Sequence, residues 1–388
     1  MPDRASDMRG CGRRSSTADV GWAATIMGGS VKIMHLLKHS VRGNGHVHVA
    51  VDLACRQADE GHTVVFGSAG GTFDELLTRH GVEVATLPPA EGVQGAARSG
   101  AALLSLNRRT RPDVIHAHMM TSAVLGFGVS KLLRIPMLTT MHNSFEKHSV
   151  LMRLGKVVVA VSEAERSLLL SRGYRPSKVV TVLNGADGSP REEEGEAEQL
   201  PPLARPCVMT LSGLHRRKAV GDVIAAFARL AGDFPDWHLN VVGWGADRER
   251  LEALAADLGV EESVHFLGSA LRPRPLLEQA DIFATASLAD PCPLTVAEAR
   301  AAGCAVVGTA VGGIPELLGK GEAGQLVPPS DPPAMAAALR RLMADPDALA
   351  EWQRRAREGA EYFRVERMAA DYERVYESLL TRRPLSVR

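Results

Sequence analysis

From Val31 onward the chain alternates two kinds of apolar pattern. Short runs rich in Val, Ile and Thr read as buried strands. Stretches between them, with apolar residues every third or fourth position, read as helices. The first unit is VKIMHLL (31–37), the turn-rich loop Ser40-Val41-Arg42-Gly43-Asn44-Gly45, then Val47, Val51, Leu53, Ala54 and Ala58 at helical spacing, closing at Gly61. Strand TVVFGS (63–68) follows, and the pattern recurs through VEVATL (82–87), DVIHAH (113–118), MLTTMH (137–142), VVVAVS (157–162) and VVTVL (179–183). Strands alternating with helices predict a parallel, doubly wound sheet with right-handed crossovers.

The alternation breaks over 184–206, where Asn184-Gly185, several prolines and the acids Glu192, Glu193, Glu194, Glu196 and Glu198 predict a loop and linker. A second set then begins: CVMTLSG (207–213), HLNVVG (238–243), VHFLG (264–268), DIFATAS (281–287), AVVGTA (305–310) and GQLVPP (324–329). The predicted architecture is α/β, two doubly wound Rossmann-like domains facing a central cleft, because such sheets place ligands beyond the carboxyl ends of their strands. The expected boundaries are 31–190 for the first domain, 191–206 for the linker, 207–365 for the second domain and 366–388 for a terminal helix packing back on the first. Apolar spacing predicts that helix over Arg367–Leu380. Residues 1–30 differ from the rest. They carry Arg13-Arg14 and a short apolar stretch broken by Gly21 and Thr25, and they read as a disordered extension or a start placed too far upstream rather than an export signal.

Composition narrows the class. The 388 residues are 45% apolar with zero formal net charge, which argues against a nucleic-acid binder with its concentrated basic face. Five scattered cysteines without CxxC spacing read as reduced thiols of a cytoplasmic protein. No apolar run reaches the length that spans a bilayer, about 18 residues. Peripheral contact with an anionic membrane stays open, since a local basic patch is compatible with a neutral total.

Candidate chemistry concentrates in the second half. Asp290-Pro-Cys-Pro-Leu-Thr-Val-Ala-Glu298 follows an apolar strand and opens a helix. The amides near Leu294 and Thr295 then form an anion site at the helix start, and Glu298 lies one turn further in. Ser212-Gly-Leu-His-Arg-Arg217-Lys218 closes the first strand of that half, where cations can neutralise a diphosphate leaving group as a metal would. Gly312-Gly313-Ile-Pro-Glu316 permits close backbone approach to a ligand, with Glu316 as a partner for a donor hydroxyl or for Lys218. Val242-Gly243-Trp-Gly245 fits a tight turn at least as well as a phosphate cradle. In the first half, Gly43, Asn44 and Gly45 form the first strand-to-helix turn, with His46 next, and His116, His118 and His142 stand at strand ends. A satisfied structural role for those histidines is the alternative, and neither pair has zinc-ligand spacing. Asp345-Pro-Asp347 sits in a helical connection and is not read as a metal site.

Taken jointly, these pieces resemble the retaining glycosyltransferases of family 4 (group 1), of GT-B fold, over nearly the whole chain from Val31. The resemblance implies that the two donor-contacting acids, separated by seven residues, are Asp290 and Glu298, and that the diphosphate-binding Lys is Lys218, with Arg217 beside it. It implies donor contacts from the Gly43-Asn44-Gly45 loop, from Gly243 and Leu267 in the run 241–268, from Leu294 and Thr295, and from Gly312, Gly313 and Glu316. It also implies that His118 and His142 lie near the acceptor or transferred sugar. The chain departs from the family pattern at Gly213 (usually Arg), Ala219 (usually Gly), Asp290 (usually Glu) and Pro293 (often Gly).

The function so implied is metal-independent transfer, without cofactor, of a sugar from a nucleotide-sugar donor to the hydroxyl of an unidentified sugar, lipid or small-molecule acceptor, with retention of configuration. A catalytically inactive sugar-nucleotide-binding subunit of the same fold is the alternative that the departures motivate. A nicotinamide-dependent oxidoreductase is disfavoured because the first loop lacks the third glycine of GxGxxG. The two-acid spacing argues for transfer over an epimerase or phosphorylase of similar fold.

Overall fold

The computed structural model describes residues 29–145, 147–193 and 202–381. Residues 1–28 of the expected extension, the acids Glu194, Glu196 and Glu198, and the tail 382–388 lie outside the described residues. Strands β1 (Lys32–Leu36), β2 (Thr63–Ser68), β3 (Glu83–Thr86), β4 (Val114–His118), β5 (Met137–Met141), β6 (Val157–Ala160) and β7 (Val179–Thr181) form one sheet, ordered β3-β2-β1-β4-β5-β6-β7. Strands β8 (Cys207–Leu211), β9 (His238–Val242), β10 (Val264–Gly268), β11 (Ile282–Thr285), β12 (Ala305–Thr309) and β13 (Gln325–Val327) form a second, ordered β10-β9-β8-β11-β12-β13. Both sheets are parallel, as the alternation predicts. Most strands stop a residue or two before their apolar runs do. The trailing residues, such as His142 and Ser212-Gly213, turn out into loops beyond the carboxyl ends.

In each sheet the strand order reverses once, between β1 and β4 and between β8 and β11. The loops after those strands diverge there and leave a crevice. Helices cover both faces. On the first sheet they are α1 (Gly45–Asp59), α2 (Asp74–Arg79), α3 (Gly92–Thr110), α4 (Met120–Leu133) and α5 (Glu163–Ser171). On the second they are α6 (Val220–Ala228), α7 (Arg248–Asp257), α8 (Arg274–Leu277), α9 (Leu294–Ala302), α10 (Ile314–Leu317), α11 (Pro332–Ala344) and α12 (Pro346–Arg357). Their apolar faces interlock with the strands. Val47, Val51 and Leu76 pack on Val64 and Phe66, while Ile224, Phe227 and Leu339 pack among Val208, Val241, Ile282 and Val307.

The terminal helix α13 (Val365–Thr381) packs against α1. It starts two residues before the apolar spacing suggests, at a contact between distant chain segments. Val365 N–H donates to the Asp187 carbonyl at 2.9 Å, and Ala186 N–H donates to the Phe363 carbonyl at 2.7 Å. The backbones lie so close that a Cβ on Gly185 would meet Val365 Cα at 2.8 Å. Beside this crossing the Asn184 amide donates to the Cys292 carbonyl at 3.1 Å, tying it to the loop that opens α9.

Candidate active site

Lys218 ends a short 3-10 turn (Arg216–Lys218) after β8, and Ala219 follows at φ +47° to start α6. A residue with a Cβ in that left-handed region carries a cost of about 1 kcal/mol, which the glycine expected there would avoid. The turn is fastened to the loop after β11. Leu288 N–H donates to the Arg217 carbonyl at 2.8 Å, the Arg217 guanidinium donates to the Ala289 carbonyl at 2.9 Å, and Lys218 Nζ pairs with Asp290 Oδ2 at 2.5 Å. Lys218 and Asp290 are both largely buried, so their attraction is only weakly screened. Arg217 also stacks over the Phe145 ring, 4.6 Å from its centroid.

Pro293 begins α9 without a side-chain cap, whereas Ser162, Asp331 and Asp345 each cap their helices. The first amides of α9, at Leu294 and Thr295, therefore have no partner within their own helix and carry the positive end of its dipole. The start of α1 stands opposite. Asn44 makes no side-chain cap there, and a Cβ on Gly45 would lie 3.9 Å from the Leu294 side chain. Two uncapped helix starts and the Arg217-Lys218 turn thus sit on loops at the carboxyl ends of the two sheets, an arrangement suited to a diphosphate.

The glycines serve these loops directly. Gly312 has φ +52°, and a Cβ there would come within 1.8 Å of the Asp290 carbonyl oxygen. At Gly313 it would meet Pro291 O at 2.2 Å. Gly313 N–H donates to the Asp290 carbonyl at 2.9 Å. The close neighbour of this pair is thus the backbone that carries Asp290. Gly243 likewise abuts Ser212, with 1.8 Å from a Cβ to the carbonyl oxygen, so the Gly243–Gly245 turn supports the loop leading to Lys218. Gly43, at φ +99°, has open space around it. Leu267 is half-buried at the carboxyl end of β10, where the register with β9 shifts. Glu316 accepts the Glu163 N–H at 2.8 Å and so caps α5 from the other sheet. Asp345, the first acid of the Asp-Pro-Asp sequence, is the cap of α12.

Glu298 points from α9 into a buried charge cluster that the sequence pattern did not mark. Arg191 holds Asp52 with two hydrogen bonds, at 2.9 and 3.0 Å, meets His48 Nδ1 at 3.2 Å, and reaches within 3.9 Å of Glu298 Oε1. Ser189 donates to Asp52 at 2.8 Å. Burial pushes the Glu298 carboxyl up from 4.5 to about 7, with Arg191 pulling it back down. A signal for Asp52 existed. It lies in a helix buried nearly all round, and a carboxylate there demands a cationic partner.

His142 and His118 meet at 3.0 Å (Nε2 to Nδ1), and His118 Nε2 continues to His35 Nδ1 at 3.0 Å. His118 has no exposed surface and both its nitrogens are engaged, so His142 is the ring at the outer end. His35, also fully buried, was not singled out in the sequence. Two hollows flank the site. One of about 340 Å³ lies beside Phe145, Arg153 and Arg172. The other, of about 110 Å³, lies beyond β1 and β2, with Lys38, Ser68, Glu91 and Ser122 among leucines.

Comparison with known proteins accords with the fold. The family described as Glycosyl transferases group 1 matches residues 192–359, and that described as Glycosyltransferase Family 4 matches residues 43–189. The chain is 27% identical over 379 residues to N-acetyl-alpha-D-glucosaminyl L-malate synthase of Bacillus anthracis, covering 88% of this chain and 95% of that one. It is 29% identical over 319 residues to D-inositol 3-phosphate glycosyltransferase of Corynebacterium glutamicum, covering 72% and 75%. It is also 35% identical over 174 residues to an exopolysaccharide phosphotransferase of Streptomyces coelicolor, covering 43% of this chain and only 18% of that relative's length. In fold it resembles Anabaena HepE, solved in complex with UDP and glucose, with a TM-score of 0.77 at 24% identity, covering 90% of this chain and all of that one. Among the described residues no helix is long and apolar enough to cross a membrane.

Proposed function

We propose a reaction for this chain, which belongs to the group 1, family 4 glycosyltransferases of GT-B fold: transfer of a sugar from a nucleotide-sugar donor to an acceptor hydroxyl, with retention of configuration and without a catalytic metal. One observation carries the reading. The uncapped start of α9 and the Arg217-Lys218 turn are bonded to the same loop, 288–293, so amides and cations converge where a diphosphate would depart. Cationic side chains and helix amides there stabilise the charge that develops on the leaving group, the task a divalent ion performs elsewhere.

Asp290 and Glu298 hold donor hydroxyls, Glu298 at the ribose and Asp290 at the transferred sugar. Leu267 lines the base pocket, and the Gly43–Gly45 loop closes over the phosphates from the first sheet. The base is uracil by analogy with the UDP bound to HepE. Among the described residues no carboxylate is assigned as a nucleophile on the opposite face of the sugar. The acceptor hydroxyl therefore enters on the face the diphosphate leaves, and the leaving phosphate takes its proton. The hollow near Lys38, Ser68 and Glu91 is the acceptor site, open beyond the carboxyl ends of β1 and β2. The enzyme works in the cytoplasm, where nucleotide sugars are supplied.

The test is a panel of nucleotide sugars, with and without chelator, followed by release of nucleoside diphosphate. Chelator-insensitive release from one donor, enhanced by cell-extract acceptors, is the expected outcome. Release abolished by chelator removes the metal-free reading. Binding without turnover under every acceptor condition would favour the inactive binding subunit.

A further inference from the structure

Inside the first sheet the imidazoles form a continuous chain that ends in one unpartnered nitrogen. Gln57 Oε1 meets His35 Nε2 at 2.8 Å, His35 Nδ1 meets His118 Nε2 at 3.0 Å, and His118 Nδ1 meets His142 Nε2 at 3.0 Å. His142 Nδ1 is buried and has no partner among the described residues. The next ring is His46, 6.0 Å away between centroids, in the first turn of α1 beside Gly45. The chain therefore ends near the facing starts of α1 and α9.

His35, His116 and His118 offer nitrogens within 4.8 Å of one another, close enough for a metal. Each already uses both ring nitrogens in hydrogen bonds, including His116 to Tyr376 at 2.8 Å and to Thr140 at 2.7 Å, and none has exposed surface. The cluster is a hydrogen-bond network rather than an ion cage.

Neutral imidazole carries one N–H and one lone pair, so the first bond in such a chain dictates all the others. Burial holds His35 down at about 4 and the other rings well below the usual range, so all stay neutral near pH 7. With the Gln57 oxygen as acceptor, His35 donates through Nε2 and accepts at Nδ1. His118 then does the same, and His142 follows, leaving its Nδ1 lone pair bare. The Gln57 amide nitrogen turns to the Tyr376 hydroxyl at 3.3 Å, and that hydroxyl donates onward to His116. Reversing the amide would reverse every ring and leave a buried His142 N–H without an acceptor. An orphaned buried donor is rarer in proteins than an underused acceptor.

We propose that Gln57, acting through His35 and His118, fixes His142 in the tautomer whose bare Nδ1 accepts a hydrogen bond from a hydroxyl of a bound sugar. Gln57, His35 and His118 are positioning residues, and His142 alone touches the ligand. This inference rests on the transferase reading, but its spectroscopic core can be tested apart from activity.

Tautomers of the histidines, labelled with nitrogen-15, are read from two-bond proton–nitrogen correlations, with the His142 signals identified by their loss in His142→Asn. The wild-type protein is expected to show Nε2–H and bare Nδ1 at His142. Gln57→Leu is expected to mix the His142 tautomers and lower kcat about tenfold, the worth of one hydrogen bond, with donor KM little changed. Gln57→Glu keeps an oxygen acceptor for His35 and is expected to retain both the tautomer and most of kcat. The nucleotide sugar that turns over is then added. A shift of Nδ1 with donor alone assigns the hydroxyl to the transferred sugar, and a shift only with acceptor present assigns it to the acceptor. An Nδ1–H tautomer in the wild-type protein, an unchanged His142 in Gln57→Leu, or an Nδ1 unmoved by either ligand would overturn the proposal. Absence of turnover with any donor would count against the transferase reading instead, and the tautomer spectrum would still decide the relay.

Discussion

Replacing Glu298 with Gln should stabilise this protein while weakening its grip on the donor. The carboxyl sits at the edge of a buried cluster, its side chain 11% exposed, and ionises at about 7 instead of 4.5. At one pKa unit per 1.36 kcal/mol, that shift corresponds to about 3 kcal/mol. Because the folded carboxyl is harder to ionise than the unfolded one, the folded state holds an extra proton between pH 4.5 and about 7. The contribution of this group to stability is present at low pH and is lost as pH rises through that window. The buried histidines act in the opposite sense. His35 is lowered from 6.5 to about 4, so its contribution is present above pH 6.5 and is lost as pH falls toward 4. The two effects overlap in the wild-type curve, and the informative quantity is the difference between wild type and Glu298→Gln. Gln cannot ionise, so the variant should match wild type near pH 4.5 and exceed it by about 3 kcal/mol at pH 8, a rise in melting temperature on the order of 5 °C. Thermal unfolding of both proteins from pH 4.5 to 8 measures this, and nucleotide-sugar titration at pH 8 tests the proposed ribose contact. A difference that stays flat across the range, or a wild type more stable at pH 8, would refute the reasoning about burial.

Lys218→Ala should lower kcat by a factor on the order of 10² and, because it strips the buried Asp290 carboxylate of its partner, should also lower stability by about 3 kcal/mol, the first read by diphosphate release and the second by thermal unfolding. Gly312→Ala places a Cβ against the Asp290 carbonyl at a positive φ, so it should cost about 3 kcal/mol in denaturant titration and weaken donor binding through the displaced Asp290. Tyr376→Phe removes the hydroxyl between Gln57 and His116 and should cost about 2 kcal/mol in the same titration.

The sequence pattern located each strand of both sheets, because fully buried parallel strands are continuous apolar runs bounded by turns. It also located the loops of Asp290, Lys218 and Gly312, whose residue types are unusual for plain turns. It missed Arg191, whose position in an acidic, Gly- and Pro-rich stretch reads as linker. Only the fold carries that side chain to Asp52, 139 positions away in the chain. His35 was hidden inside a strand, where a polar side chain has no periodic signature and its partner Gln57 lies on a different element. The glycine pairs were legible as close approaches, yet what approaches them is another stretch of backbone, which no local pattern specifies.

The position of α13 has a consequence for synthesis. Its tyrosines, Tyr372 and Tyr376, complete the hydrogen bonds of Thr140, His116 and Gln57 in the first sheet. While a ribosome is still translating the second half, the first sheet is already outside the tunnel with those groups unsatisfied and one face of α1 uncovered. The first sheet is therefore left as an incompletely packed intermediate until α13 emerges. Chaperone occupancy on this chain should concentrate on α1 during that interval and end when α13 docks.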